Sequence, residues 1–235
     1  MIRILINGAL GCMGVETAKL VERTPGFALA GGVDPKNGAL PRLKEFHGEA
    51  DVLIDFSHHA AAEEVAEFMM LRRMPGVVCT TGHTEEEGQY LDAAAALVPV
   101  FRTANTSLGV AFLARAVRMA AALFPSADVS IVECHHTHKL DAPSGTALTL
   151  ARAAEAGRSG HTAAPVDIHS LRMGSVAGDH QVIVNTGSEI ITLRHEVHDR
   201  ALFAQGALAA AEFLIGRGPG VYGMEDLLKK EGLGL

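Results

Sequence analysis

The stretch Gly8-Ala-Leu-Gly11-Cys-Met-Gly14 constrains the fold of this chain more than any other. It follows an apolar run, Ile2–Ile6, that ends at Asn7-Gly8 and predicts a buried strand. It opens a segment, Met13–Thr24, with Val15, Ala18 and Val21 on one helical face and a stop at Pro25-Gly26. Strand, glycine-rich turn and helix in that order make an anion site. Gly8 permits the tight turn, Gly11 the close approach of backbone to a diphosphate, and Gly14 the packing of helix on strand. The diphosphate then rests on N–H groups at the helix N-terminus. Asp34 closes the next strand, Phe27–Val33, 20 residues after Gly14. A carboxylate there accepts hydrogen bonds from an adenosine ribose.

The alternation continues through the first half. Strands are predicted at Asp51–Phe56, Val77–Thr80 and Val98–Arg102, and helices at Ala60–Arg73 and Thr84–Ala96. Thr84 followed by Glu87 has the form of a capping box. Such a chain folds as α/β, a Rossmann-like parallel sheet with helices on both faces. Cys79-Thr80-Thr81-Gly82 and Ala104-Asn105-Thr106-Ser107 then fall at carboxyl ends of parallel strands, where open sheets bind ligands.

Beyond Asn105 the pattern changes. A long helix is expected at Ser107–Phe124, a strand at Val129–Glu133 and a helix at Pro143–Ala156. Val166–Leu171, Gln181–Thr186 and Glu189–His195 follow as strands without intervening helices, the last two flanking a Gly187-Ser188 hairpin turn. That predicts a C-terminal α+β domain with a mixed or antiparallel sheet. Helices at Arg200–Ile215 and Met224–Lys230 close the chain. The expected division is a dinucleotide-binding domain over 1–105, completed by C-terminal helices in 204–235, and a substrate-binding and oligomerisation domain over 106–203.

Composition removes other classes. Formal charge is −7 and 48% of residues are apolar, which excludes a disordered chain and argues against a nucleic-acid surface. No apolar run reaches the ~20 residues of a membrane span. Three scattered cysteines, Cys12, Cys79 and Cys134, make no disulfide framework and no zinc pair. A soluble, unprocessed, cytoplasmic protein is the expectation, without nucleic-acid or membrane partners.

The densest chemistry lies in Glu133-Cys-His135-His136-Thr-His138-Lys139-Leu-Asp-Ala-Pro143-Ser144-Gly145-Thr146-Ala147. Histidine exchanges protons near neutral pH. Lys139 can bind a carboxylate or donate a proton. Pro143-Ser144-Gly145-Thr146 opens a helix whose N–H groups, Thr146 hydroxyl and dipole suit an anion. A cationic cluster beside such a helix start implies a small carboxylate-bearing substrate. A metal site has no supporting ligand spacing, so none is expected. Cys134, adjacent to His135 in a strand, points away from it and reads as a buried structural residue. Arg172 and His180 flank a glycine-rich stretch and either approach the substrate or shape a turn. His58-His59 sit at a helix start, and His47, His161 and His169 read as surface or loop residues.

These motifs resemble those of the 4-hydroxy-tetrahydrodipicolinate reductase (dihydrodipicolinate reductase) family of the diaminopimelate route to lysine. Glu133–Ala147 is similar to its E-x-H-H-x-x-K-x-D-A-P-S-G-T-A signature. The Gly8–Gly14 loop, Asp51–Ser57, Thr80-Thr81-Gly82 and Ala104–Ser107 match in order. The resemblance implies NADH and/or NADPH held by Gly8, Ala9, Leu10, Gly11, Cys12, Met13, Asp34, Cys79, Thr80, Thr81, Ala104, Asn105, Thr106 and Ser107. It implies His135 as proton donor/acceptor, Lys139 as proton donor, and His136, Gly145 and Thr146 on the substrate carboxylates. It also implies a homotetramer built through the second domain's sheet.

The chain departs from the family at Cys12 and Pro35, where arginine is common, and at Thr137 and Thr106. The first two remove positive charge near the adenosine ribose and leave the choice of NADH or NADPH open, with Lys36 the nearest cation. Three rival readings remain: a small amino-acid dehydrogenase such as an aspartate dehydrogenase, a non-catalytic dinucleotide sensor, and a metal hydrolase.

Overall fold

Ten strands and seven α-helices, in a computed structural model, cover the described residues 1–36, 39–158 and 164–230. His161 and residues 231–235, named above, lie outside them. The chain divides into two units. Met1–Ser107 and Ala201–Leu235 form the first, Leu108–Arg200 the second.

The first unit holds β1 (Ile2–Asn7), β2 (Phe27–Val33), β3 (Val52–Asp55), β4 (Gly76–Val78), β5 (Pro99–Arg102) and β10 (Gly220–Tyr222). They pair in parallel in the order β10-β5-β4-β3-β1-β2. Side chains alternate across the pleat, so adjacent residues feed opposite cores. Leu5, Leu53, Val78 and Val100 pack under α2 (Ala62–Arg72) and α3 (Glu85–Ala95). Ile4, Ile6, Val52, Ile54, Val77 and Phe101 pack under α1 (Cys12–Arg23), α6 (Ala201–Leu214) and α7 (Met224–Leu228). Burial on both faces explains why these strands read as unbroken apolar runs. The capping box of α3 forms with both bonds: Thr84 Oγ1 accepts the Glu87 N–H and Glu87 accepts the Thr84 N–H.

β10 was not anticipated. It adds Gly220-Val-Tyr222 to the edge of the sheet beside β5, after α6.

The second unit holds α4 (Leu108–Leu123), β6 (Asp128–His135), α5 (Gly145–Gly157), β7 (Asp167–Arg172), β8 (Asp179–Asn185) and β9 (Ile190–Glu196). The sheet order is β7-β6-β8-β9. β8 runs antiparallel to β6 and β9, whereas β7 runs parallel to β6, because α5 supplies the crossover between them. One face, with Val129, Ile131, Val182 and Val184, packs against Leu113, Val117, Leu150 and Ala154 of α4 and α5. The other face carries the half-buried Val132 and Ile183 and the exposed Leu171 and Ile190, with no helix of this unit over them among the described residues. No helix among the described residues is long and apolar enough to cross a membrane.

Candidate functional site

In the first unit the carboxyl ends of β1, β2 and β3 meet around a cleft of about 710 Å³. Gly8, Gly11, Asp34, Lys36, Arg42 and Ser57 line it. Gly8 has φ +78°, and a Cβ there would run into the Phe56 carbonyl. A Cβ at Gly14 would overlap the Gly8 carbonyl oxygen. These absences of side chain keep turn, helix and cleft in one place. The Gly8 and Ala9 N–H groups donate to Val33 O at 2.8 and 3.1 Å, and Leu10 N–H donates to Asp34 at 3.0 Å. The loop backbone is therefore tied to the end of β2, while α1, with Gly11 at its N-cap position, has no side-chain cap. Such a helix start suits a diphosphate. Cys12 is exposed and Met13 half-buried beside it.

Asp34 is buried, and its two oxygens each accept one backbone N–H, from Leu10 and Lys36. A carboxylate has about four acceptor positions, so capacity for ribose hydroxyls remains. Arg42, which the sequence did not single out, joins Lys36 on the cleft wall and bonds Glu64 at 3.1 Å.

Asp55, at the end of β3, is a second unanticipated residue. It accepts hydrogen bonds from Asn7 Nδ2 (2.8 Å), Ser57 Oγ (2.6 Å) and Thr80 Oγ1 (2.6 Å), and so ties the ends of β1, β3 and β4 together. Burial pushes its carboxyl up, against the pull of these bonds. Burial, and then the neighbouring Asp55 charge, push the Cys79 thiol well above its usual range, so Cys79 is not a ready nucleophile. Thr80, Thr81 and Ala104 line a further hollow of about 340 Å³. Thr106 and Ser107 are buried. Thr106 Oγ1 donates to the Phe203 carbonyl at 2.7 Å, and the Ser107 N–H donates to Asn105 Oδ1 at 2.8 Å.

In the second unit the helix-covered face of the sheet turns from apolar to ionisable at one end. Register sets this up. Glu133 lies opposite His180 on β8 and Ser170 on β7, His135 opposite Arg172, and His180 opposite His195. Glu133 Oε2 receives the Nδ1 of His135 at 2.5 Å, and Arg172 grips both Glu133 oxygens at 3.0 and 3.1 Å. Burial pushes the Glu133 carboxyl up. Bonds from Arg172, Ser170 and His135 outweigh it and hold the group at about 2. An ionised carboxylate has no proton to give, so Nδ1 of His135 carries the proton and Nε2 offers a lone pair. Burial lowers His135 despite the opposing pull of Glu133, and so favours the neutral ring. Gly178 stands against Nε2: a Cβ there would sit 3.3 Å away.

His180 stacks edge-on to His135 at 5.1 Å. Its Nε2 lies 3.0 Å from Ser144 Oγ, the N-cap of α5, which accepts the Ala147 N–H. Burial, and then His135, push His180 down to about 4. α5 starts at Gly145 because Ser144 caps it, later than the expected Pro143. Gly145 has open space around it. Lys139 is tied to Asp141 at 2.7 Å, an exposed pair that costs little to break.

The sequence grouped His135, His136 and His138. The fold separates them: His135 joins Glu133 and His180, while the His136 and His138 rings face each other at 6.3 Å. Glu133, His135 and His180 bring metal-type ligand atoms within 4.8 Å of one another. Arg172 already neutralises both oxygens of Glu133, and its charge would repel a metal cation.

A parallel sheet with a glycine cradle, and a second unit with paired acid–base groups at a helix start, define a dinucleotide-dependent oxidoreductase. The family profile described as dihydrodipicolinate reductase, N-terminus, matches residues 2–106, and that described as dihydrodipicolinate reductase, C-terminus, matches 109–228. The chain belongs to the dihydrodipicolinate reductase family. It is 42% identical to the 4-hydroxy-tetrahydrodipicolinate reductase of Caldanaerobacter subterraneus subsp. tengcongensis, over 98% of this chain and 99% of that one. It is 39% identical to the enzyme of the same name from Parvibaculum lavamentivorans, over 97% of each. The dipicolinate-bound dihydrodipicolinate reductase of Paenisporosarcina sp. TG-14 superposes with a TM-score of 0.81 at 26% identity, over 96% of this chain and 99% of that one.

Proposed function

We propose that this chain reduces 4-hydroxy-tetrahydrodipicolinate to tetrahydrodipicolinate with NADH or NADPH, in the diaminopimelate route to lysine. The observation that carries the reading is the cluster at the end of β6. An imidazole paired with a carboxylate, an ammonium and a capped helix start lie within one short segment. That set suits a doubly anionic ring that must also receive a proton.

The dinucleotide fits the first unit because a Cβ would fill the glycine cradle and nothing caps α1. Bound there, the nicotinamide supplies a hydride. Gly8–Met13 bind the diphosphate and Asp34 the ribose. Cys79, Thr80, Thr81 and Ala104–Ser107 shape the remainder of the nucleotide site. His136, Gly145 and Thr146 hold the substrate carboxylates. Lys139 leaves Asp141 for the substrate and donates the proton, and His135 exchanges a proton through Nε2. One hydride and one proton enter the ring system, and water leaves.

The open face of the second unit's sheet, with Val132, Leu171, Ile183 and Ile190, suits assembly into a homotetramer. Three unpaired cysteines fit a cytoplasmic site. The test is oxidation of NADH and of NADPH by the purified chain with substrate generated by the preceding synthase. Turnover supports the reading. Dinucleotide binding without turnover supports a sensor, and turnover on amino acids instead supports a dehydrogenase.

A further inference from the structure

His135 has a buried partner that stands outside the set meeting substrate or dinucleotide. Glu133 is wholly buried, one pleat repeat before His135 on the same face of β6. It receives Nδ1 of His135, and Arg172 holds it from the next strand. Arg172 also donates to the Lys139 carbonyl at 3.3 Å and the Asp141 carbonyl at 2.6 Å. One guanidinium thus fixes both the carboxylate behind His135 and the backbone of the loop that carries Lys139.

We infer that Glu133 is a positioning residue for the reduction: with Arg172, it sets the tautomer of His135, so that Nε2, which lies beside Gly178, has its lone pair available. This deepens, and rests on, the reductase reading. Charge and geometry require it. Four donors converge on Glu133, two from Arg172 and one each from His135 and Ser170, and only a carboxylate can accept them all. A glutamine at this position has one acceptor oxygen, which Arg172 would claim. Its amide NH₂ would then face Nδ1 and force the proton onto Nε2. The outer nitrogen would then hold a fixed proton in place of the lone pair through which His135 exchanges one.

The experiment uses the full chain with ¹⁵N-labelled histidine, as wild type, Glu133→Gln and Glu133→Asp. Imidazole ¹⁵N shifts report the tautomer, and steady-state kinetics report kcat and KM. Wild-type His135 is expected with its proton on Nδ1, and Glu133→Gln with it on Nε2. In Glu133→Gln, kcat should fall by roughly 10²–10⁴-fold while KM for the dicarboxylate changes by less than about threefold. Glu133→Asp should restore Nδ1–H and part of kcat. A wild-type His135 protonated on Nε2 overturns the inference without any variant. So does a Glu133→Gln protein with unchanged tautomer, or with kcat within about threefold of wild type. A wild type that never reduces the substrate would sink the reductase reading instead, and the tautomer measurement would still stand.

Discussion

Replacing His180 by glutamine should flatten the pH dependence of stability between about pH 6.5 and 4. Burial among His135, Ser144 and the α5 cap holds His180 at about 4, against 6.5 for the free side chain. The folded protein therefore resists protonation that the unfolded chain accepts. Above pH 6.5 both forms are neutral and His180 adds nothing. As pH falls through the window the unfolded chain takes up the proton first and stability drops, levelling off below pH 4. A shift of this size corresponds to about 3 kcal/mol at most, and about 1.4 kcal/mol of it is lost by pH 5.5. For a chain of this length that is about 3–6 °C in Tm. The melting temperature of wild type should fall more between pH 7.5 and 5.5 than that of His180→Gln, by that margin. Equal slopes in the two proteins, or an NMR titration of His180 near 6.5, would refute the reasoning. Glu133 does not confuse the test. Its group, held at about 2, contributes stability above its unfolded range near 4.5 and loses it only below, in a more acid window.

Lys139→Ala should lower kcat by roughly 10²-fold or more and leave dinucleotide affinity unchanged; an unaltered kcat would remove Lys139 from the chemistry. Gly8→Ala forces a side chain into the Phe56 carbonyl at a positive φ, so NADH binding followed by fluorescence should be lost, with about 1–3 kcal/mol of stability. Full binding by that variant would mean the turn can move. Arg42→Ala should weaken NADPH by roughly 5–10-fold more than NADH, as the 2′-phosphate loses a cation; equal weakening in calorimetry would exclude Arg42 from that contact.

Local signals were legible in the sequence. Glycines at Gly8, Gly11 and Gly14, the Thr84/Glu87 box and the apolar runs each act within one turn or one strand, so spacing alone reports them. Groups assembled by pairing register were not. Asp55 collects partners from three strands, and Glu133 from β7 as well as its own strand, and neither set is adjacent in sequence. The parallel placement of β7 also depends on the α5 crossover, which turn residues cannot announce. β10 escaped because three residues, one of them Gly220, carry no periodicity. His180 was visible only as a flank of glycines; its bond to Ser144 needs the antiparallel register of β8 with β6.

The return of α6, β10 and α7 to the first sheet has a consequence for biosynthesis. On the ribosome, every residue of the second unit is made before the helix that seals one face of the first. The middle of this protein has all its residues in hand while its amino-terminal sheet still waits, half covered, for the last stretch of nascent chain. Premature termination after Arg200 would remove no residue of the imidazole cluster, yet would strip one face of the sheet that was translated first.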